Sequence, residues 1–246
     1  MDSIYYKNRV ALNTRISGNI YKLVVKGNFS VRPGQFFMLR AWTTEPILSR
    51  PISVCDIDDK GIVFLYEIRG EGTRILGNLK KDDEIELLGP LGNGFDADKI
   101  KGKVAIVAGG IGIAPMLLSA KTIKAEKLDL YVGFRDESFI LDAFKDFVDD
   151  IYLTTDSGTE GHKGFITDIF NPENYDCVLS CGPEIMMKKV VAKCNEARVT
   201  VHVSMESHMA CGVGACLVCS CKTNDGIKRT CKDGPVFLGE DVIFSA

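Results

Sequence analysis

Along residues 1–97 the apolar positions come in short runs that alternate or cluster, over 10–16, 21–25, 35–39, 52–55, 62–68 and 84–88. Turn signals part them at Ser17-Gly18-Asn19, Arg32-Pro33-Gly34, Asp58-Asp59-Lys60-Gly61 and Lys81-Asp82-Asp83. Six strands so spaced predict a small antiparallel barrel, interrupted by one or two helical turns over 73–79. Past Gly89-Pro90-Leu91-Gly92-Asn93-Gly94 the period changes. Strands are expected over 104–108, 128–133, 151–154 and 177–180, and helices over 115–126, 141–147 and 183–197. That alternation implies a parallel sheet covered on both faces. From Val201 onward it gives way to a cysteine-rich tail. The fold expected is therefore a multi-domain α+β protein. It comprises an antiparallel β-barrel over 1–97, an α/β unit with a parallel sheet over 98–200, and a small C-terminal domain over 201–246.

Composition narrows the functional classes. A chain of 246 residues has room for two domains and a small appendage. The formal net charge of -3 argues against nucleic acid or an anionic membrane as partner. An uncharged run over 104–120 holds Gly109, Gly110, Gly112 and Pro115 in its middle, so it reads as strand, loop and helix rather than a membrane span. Five of the nine cysteines lie in the tail, and the N-terminal Met1-Asp2-Ser3-Ile4-Tyr5-Tyr6-Lys7 is not a signal peptide. Together these predict a soluble protein of the reducing cytoplasm.

Cys211, Cys216, Cys219 and Cys231 are spaced C-x4-C-x2-C-x11-C, as in plant-type ferredoxins that hold a 2Fe–2S cluster. Gly212 and Gly214 allow a tight loop, and Ala210 and Ala215 leave room for the inorganic core. Zinc usually draws on two short C-x2-C pairs, and only Cys216 and Cys219 make one here. Cys221 reads as a bystander on the next strand, the alternative being that it ligates in place of Cys219. Elsewhere, Arg50-Pro51-Ile52-Ser53 opens a barrel strand, where an arginine suits a pyrophosphate and Ser53 a flat heterocycle. By itself it is equally a surface arginine before an edge-strand proline. Gly70-Glu71-Gly72-Thr73 offers helix amides to the same phosphate, or is a plain helix start. Read together, the two segments point to a flavin.

Gly109-Gly110-Ile111-Gly112-Ile113-Ala114-Pro115 joins a strand to a helix, a turn where glycines admit a pyrophosphate. Pro115 replaces the third glycine of the usual fingerprint, so the ordinary dinucleotide fold is not expected; a tight turn without ligand is the alternative. Cys181-Gly182 ends a strand where open sheets bind ligands, unless Cys181 is an inert buried thiol. Asp156 suits a ribose hydroxyl and NAD over NADP, or is a turn aspartate. His162, His202 and His208 have no partners at metal-site spacing, and no catalytic triad or carboxylate pair emerges.

The order of Arg50-Pro51-Ile52-Ser53, the 110–115 loop and Cys181-Gly182-Pro183 resembles the ferredoxin–NADP reductase superfamily. The tail, residues 204–216 with Cys231-Lys232-Asp233-Gly234-Pro235-Val236-Phe237, is similar to that of the electron-transfer subunits of NAD-dependent (class 1B) dihydroorotate dehydrogenases. The resemblance covers nearly the whole chain. His208 departs from it, standing where the family pattern has arginine. The resemblance implies cofactors FAD, a 2Fe–2S cluster and NAD. It also implies an FMN-containing catalytic subunit that oxidises dihydroorotate to orotate, in a heterotetramer of two of each chain. Electrons would pass through the cluster to FAD and on to NAD+ as a hydride, with no catalytic acid or base in this chain. The cofactor-binding set expected is Arg50, Pro51, Ile52, Ser53, Glu67, Ile68, Arg69, Gly72 and Thr73 for the flavin. Gly109, Gly110, Gly112, Asp156, Cys181 and Gly182 are expected to serve the nicotinamide. The alternatives are the flavin subunit of another NAD(P)H:ferredoxin or sulfide oxidoreductase, whose ligand set tends to include an aspartate, or a non-enzymatic redox sensor.

Overall fold

The structure, a computed structural model, describes residues 4–244. Met1, Asp2 and Ser3, the start of the N-terminal segment read above, lie outside it, as do residues 245 and 246. β1 (Ile4–Ser17), β2 (Ile20–Val25), β3 (Phe36–Arg40), β4 (Arg50–Asp58), β5 (Gly61–Glu67) and β6 (Glu84–Leu91) close into an antiparallel barrel. The strand order is β1-β2-β5-β4-β3-β6, and β6 pairs back to β1. A short helix, α1 (Glu71–Asn78), follows β5.

Alternation along each strand decides what it buries. On β3, Phe37 and Leu39 fill the barrel, whereas Phe36 and Met38 project from it. On β5, Ile62, Phe64 and Tyr66 point inward and Val63 and Leu65 outward. The outward pair joins Val24 and Cys55 in a core shared with the sheet that follows. Both faces of β5 are thus covered, which is why its sequence is an almost unbroken apolar run. Burying one such side chain contributes about 1.5–3 kcal/mol, so the shared core fixes barrel and sheet firmly together.

The sheet is built from β7 (Lys103–Gly109), β8 (Lys127–Phe134), β9 (Asp150–Thr155), β10 (His162–Lys163), β11 (Cys177–Cys181) and β12 (Thr200–Ser204), all parallel. Its helices are α2 (Met116–Thr122), α3 (Ile166–Ile169) and α4 (Glu184–Ala197). Val104, Ile106 and Ala108 of β7 face the core shared with the barrel; Ala105 and Val107 face Met187 and Val190 of α4. Two further strands, β13 (Ser220–Thr223) and β14 (Gly226–Arg229), form a separate hairpin. The last, β15 (Val236–Leu238), returns to the sheet and pairs antiparallel with β12, Ser204 opposite Val236. Residues 205–235 therefore leave and re-enter at neighbouring strands, and Met205 N donates to Pro235 O at 2.9 Å across the base.

Two helices are shorter than the sequence pattern implies. The stretch expected over 115–126 is helical only over Met116–Thr122, preceded by a 3-10 turn at Gly110–Ile113; the one over 141–147 is a single 3-10 turn, Leu141–Phe144. Phe144 is fully buried, so one anchored turn satisfies the apolar positions that suggested a helix.

Candidate functional site

Arg50 begins β4 and lies opposite Leu39 of β3. Its guanidinium rests against the first turn of α1: a Cβ on Gly72 would stand 2.4 Å from Arg50 Nε and 2.8 Å from Nη2. Only glycine permits that approach. Thr73 Oγ1 accepts from the amides of Arg69 at 3.0 Å and Gly70 at 3.2 Å, which caps the helix. Arg50, Gly72 and Thr73, separated in sequence, are thus brought together. Residues opposite one another on paired strands share a face. Pro51 and Ser53 pair with Met38 and Phe36 and so project outward with them, while Ile52 packs on the barrel interior. Ile68 also packs on the barrel interior, beside Gly77 of α1.

A cavity of about 840 Å³ opens between barrel and sheet. Gly109, Gly110, Gly112 and Gly182 line one side, at the carboxyl ends of β7 and β11. The strand order runs one way from β7 through β8 and the other through β11, so this is the crevice where open α/β sheets bind ligands. The two loops touch closely: a Cβ on Gly112 would lie 2.4 Å from Cys181 O, and one on Gly182 would lie 2.8 Å from Gly109 N. Gly110, at φ +52, has open space in front of it. Glu67 and Arg69 line the barrel side. Burial works against the Glu67 carboxylate, but Arg69 Nε at 2.6 Å and Asn19 Nδ2 at 3.0 Å donate to it, and its pKa falls. Glu206 also borders the cavity; desolvation raises its pKa, only partly opposed by Arg69.

Arg50, Pro51, Ile52, Ser53, Ile68, Gly72 and Thr73 lie outside this lining, and so do two of the residues expected for the nicotinamide. The Cys181 thiol is buried in the core with Ala108 and Ile113, and burial pushes its pKa up. Asp156 is exposed beyond β9, its amide donating to Arg135 O at 3.3 Å. The cavity also takes in residues to which the sequence motifs assign no cofactor role, among them Asn19, Arg135, Met205 and Glu206. Arg135 follows the carboxyl end of β8 as Gly110 follows that of β7, and that position was its only signal in the sequence.

The cysteine loop packs on the barrel's outer face. Cys219 and Cys231 are buried against Phe36, Met38 and Leu91, Cys211 is half-buried and Cys216 is exposed. Gly212, Gly214 and Leu217 take positive φ, +71, +83 and +63, which folds the loop back on itself. Backbone amides point at sulfur, Ala215 N to Cys211 Sγ at 3.3 Å and Cys231 N to Cys219 Sγ at 3.4 Å. Desolvation opposes the Cys211 thiolate, yet the amides of Cys216, Val213 and Ala215 outweigh it and bring the pKa down to about 6. Burial and the neighbouring Cys219 push Cys231 up. Four thiols free of disulfides, amides aimed at sulfur and glycines that leave space suit an iron–sulfur core. Among the described residues, no three metal-binding side chains converge as a mononuclear site requires. Cys221 stands on the β13–β14 hairpin opposite Lys228, outside the loop. Arg229 binds the two cysteine-bearing segments together, donating to Gly214 O at 3.2 Å and to Asp233 through Nε at 2.9 Å and Nη2 at 3.1 Å.

Fold and site together define an electron-transfer protein of ferredoxin-reductase type with an appended iron–sulfur domain. A profile described as the iron–sulfur cluster binding domain of dihydroorotate dehydrogenase B matches residues 206–243. Proteins named dihydroorotate dehydrogenase B (NAD(+)), electron transfer subunit, are 54% identical in Clostridium acetobutylicum, over all of both chains, and 51% identical in Clostridium perfringens, over 98% of each. The chain belongs to this family of electron transfer subunits. Among solved structures, an NADH-dependent reduced ferredoxin–NADP oxidoreductase, studied for flavin-based electron bifurcation, matches with a TM-score of 0.86 at 28% identity, over 96% of this chain and 90% of its own. A ferredoxin–NADP+ reductase from Neisseria gonorrhoeae, with bound FAD and NADP, shares the fold at a TM-score of 0.63 and 14% identity, over 78% of this chain and 91% of its own.

Proposed function

We propose that this chain relays electrons from the FMN of a dihydroorotate-oxidising catalytic subunit, through a 2Fe–2S cluster and FAD, to NAD+ in pyrimidine biosynthesis. When bound, FAD trades an electron pair with NAD and single electrons with the cluster. The observation that carries the reading is the outer face of β3. Met38 touches the cluster loop at Gly212, and the same residue is paired in register with Pro51 of the flavin segment. One strand thus abuts both centres.

The roles follow from placement. Arg50 and the first turn of α1, with Gly72 and Thr73, hold the FAD pyrophosphate. Pro51, Ile52 and Ser53 present backbone and hydroxyl to the ring, with Glu67, Ile68 and Arg69 at its far edge. Gly109, Gly110, Gly112 and the Cys181-Gly182 turn admit NAD, and Asp156, exposed beyond β9 and bonded through its amide to Arg135 O, accepts from its ribose. Cys211, Cys216, Cys219 and Cys231 hold the iron. We assign 1–97 to FAD, 98–200 to NAD and 201–246 to the cluster. The catalytic partner docks over Cys216, where Val213, Leu217 and Val218 are exposed; two of each chain form the complex, in the cytoplasm. No helix of the described residues is long and apolar enough to cross a membrane.

The test is a visible spectrum of the anaerobic protein. NADH should bleach both flavin and cluster bands, NADPH far less, and dihydroorotate should do nothing until an FMN-bearing subunit is added. Oxidation of dihydroorotate by this chain alone would overturn the relay assignment. Equal use of NADH and NADPH would return Asp156 to a turn residue.

A further inference from the structure

The loop over 41–49, between β3 and β4, is surface-exposed at Ile47 and Leu48 yet heavily braced. Arg40 donates to four carbonyls in it: Trp42 O at 2.9 Å, Thr43 O at 2.9 Å, Thr44 O at 3.4 Å and Ile47 O at 2.7 Å. The Trp42 indole N–H donates to Pro46 O. The ring so fixed lies near two guanidiniums, with Arg40 Cζ 5.7 Å and Arg50 Cζ 5.5 Å from its centroid. Arg50 also donates to Leu48 O of the same loop. Among the described residues neither arginine has a carboxylate within ion-pair distance. The loop therefore holds a positive charge against the first turn of α1 without neutralising it.

We propose that Trp42 is a positioning residue for FAD: its ring and the Arg40-braced loop hold the Arg50 guanidinium over Gly72, ready for the pyrophosphate. The proposal rests on the reading of Arg50 as a phosphate ligand. An arginine side chain loses considerable rotamer freedom when it binds an anion, and a guanidinium already stacked on an aromatic face loses less. Stacking leaves the edge of the fork, with its N–H donors, free for phosphate oxygens. Trp42 also completes a chain from Arg40, at the end of β3, to Arg50, at the start of β4, so the loop sets the spacing of both.

The experiment is a double-mutant cycle on FAD affinity, using the full chain with its cluster in place. Trp42→Leu should weaken FAD binding roughly tenfold, the loss of a partly desolvated cation–π contact. Arg50→Ala should weaken it at least as much, and adding W42L to R50A should cost less than twofold more. Cluster absorbance should be unchanged throughout, which a general loss of folding would not allow. Trp42 is the sole tryptophan of the chain, so FAD titration of the unmodified protein should also quench its emission. Unchanged affinity in W42L, or an equal loss from W42L in both arginine backgrounds, overturns the positioning role while leaving Arg50 as a ligand. Unchanged affinity in R50A overturns the phosphate reading itself. Should W42L fail to fold, Trp42→Phe carries the same cycle, with a loss of a few-fold that vanishes in R50A.

Discussion

Gly212 is where the cluster loop meets the barrel, and replacing it with alanine should release the cluster while sparing the flavin and nicotinamide sites. Its φ of +71 lies in the left-handed region, where an L side chain costs about 1–2 kcal/mol. The new methyl would also stand 2.7 Å from Met38 Cγ, 3.0 Å from Leu91 Cδ1 and 3.1 Å from Met38 Sδ. Overpacking of that kind costs about 1–3 kcal/mol. Met38 is flexible and can yield in part, so the sum should fall near 3 kcal/mol, toward the middle of the range. Because holding the metal is part of such a loop's folding free energy, that loss should appear as lower iron and sulfide content and an earlier thermal bleaching of the cluster. Met38→Ala in the same chain should return the steric share but not the conformational one. Gly226→Ala is the control: its φ is +101 but nothing lies within 4 Å of the new methyl, so only backbone strain is added. If G212A keeps full iron and bleaches at the unmodified temperature, the loop does not have the conformation described.

Serine at Cys211, Cys216, Cys219 or Cys231 should abolish cluster absorbance, whereas Cys221→Ser should retain it; bleaching by Cys221→Ser but not Cys219→Ser would reassign the third ligand from Cys219 to Cys221. Val213→Glu, on an exposed side chain, should cut partner-dependent dihydroorotate oxidation roughly tenfold while NADH-driven dye reduction holds, as for a central interface residue. Parallel loss of both activities would place the damage in the chain rather than at the contact.

The barrel was legible because its strands obey a period of two and end at glycine, proline and aspartate turns; all six expected runs are found, β1, β4 and β6 longer than the apolar positions show. The cysteine spacing likewise carried its chemistry in local sequence. What stayed hidden was set by distant contacts. β15 has only three residues and exists because β12 offers an open edge. β10 and α3, short pieces over 162–169, have no periodic signal of their own. Arg135 and Glu206 border the cavity only because the ends of β8 and β12 converge there, a fact of topology rather than of motif. Arg50 and Gly72 were each weak signals, and their contact is made by the fold.

The pairing of Ser204 with Val236 has a consequence for how such proteins are assembled. The iron-binding segment begins and ends at adjacent positions of a sheet that is otherwise complete, so it is a graft with a closed stem. A short turn joining Ser204 to Val236 would leave barrel and sheet as a two-domain chain, uncover Phe36, Met38 and Leu91 on the barrel wall and take Met205 and Glu206 out of the cavity lining. Conversely, a reductase with a similar sheet edge and an apolar patch at that place on its barrel is a ready host for this segment. One-electron chemistry is, in this architecture, a transplantable part.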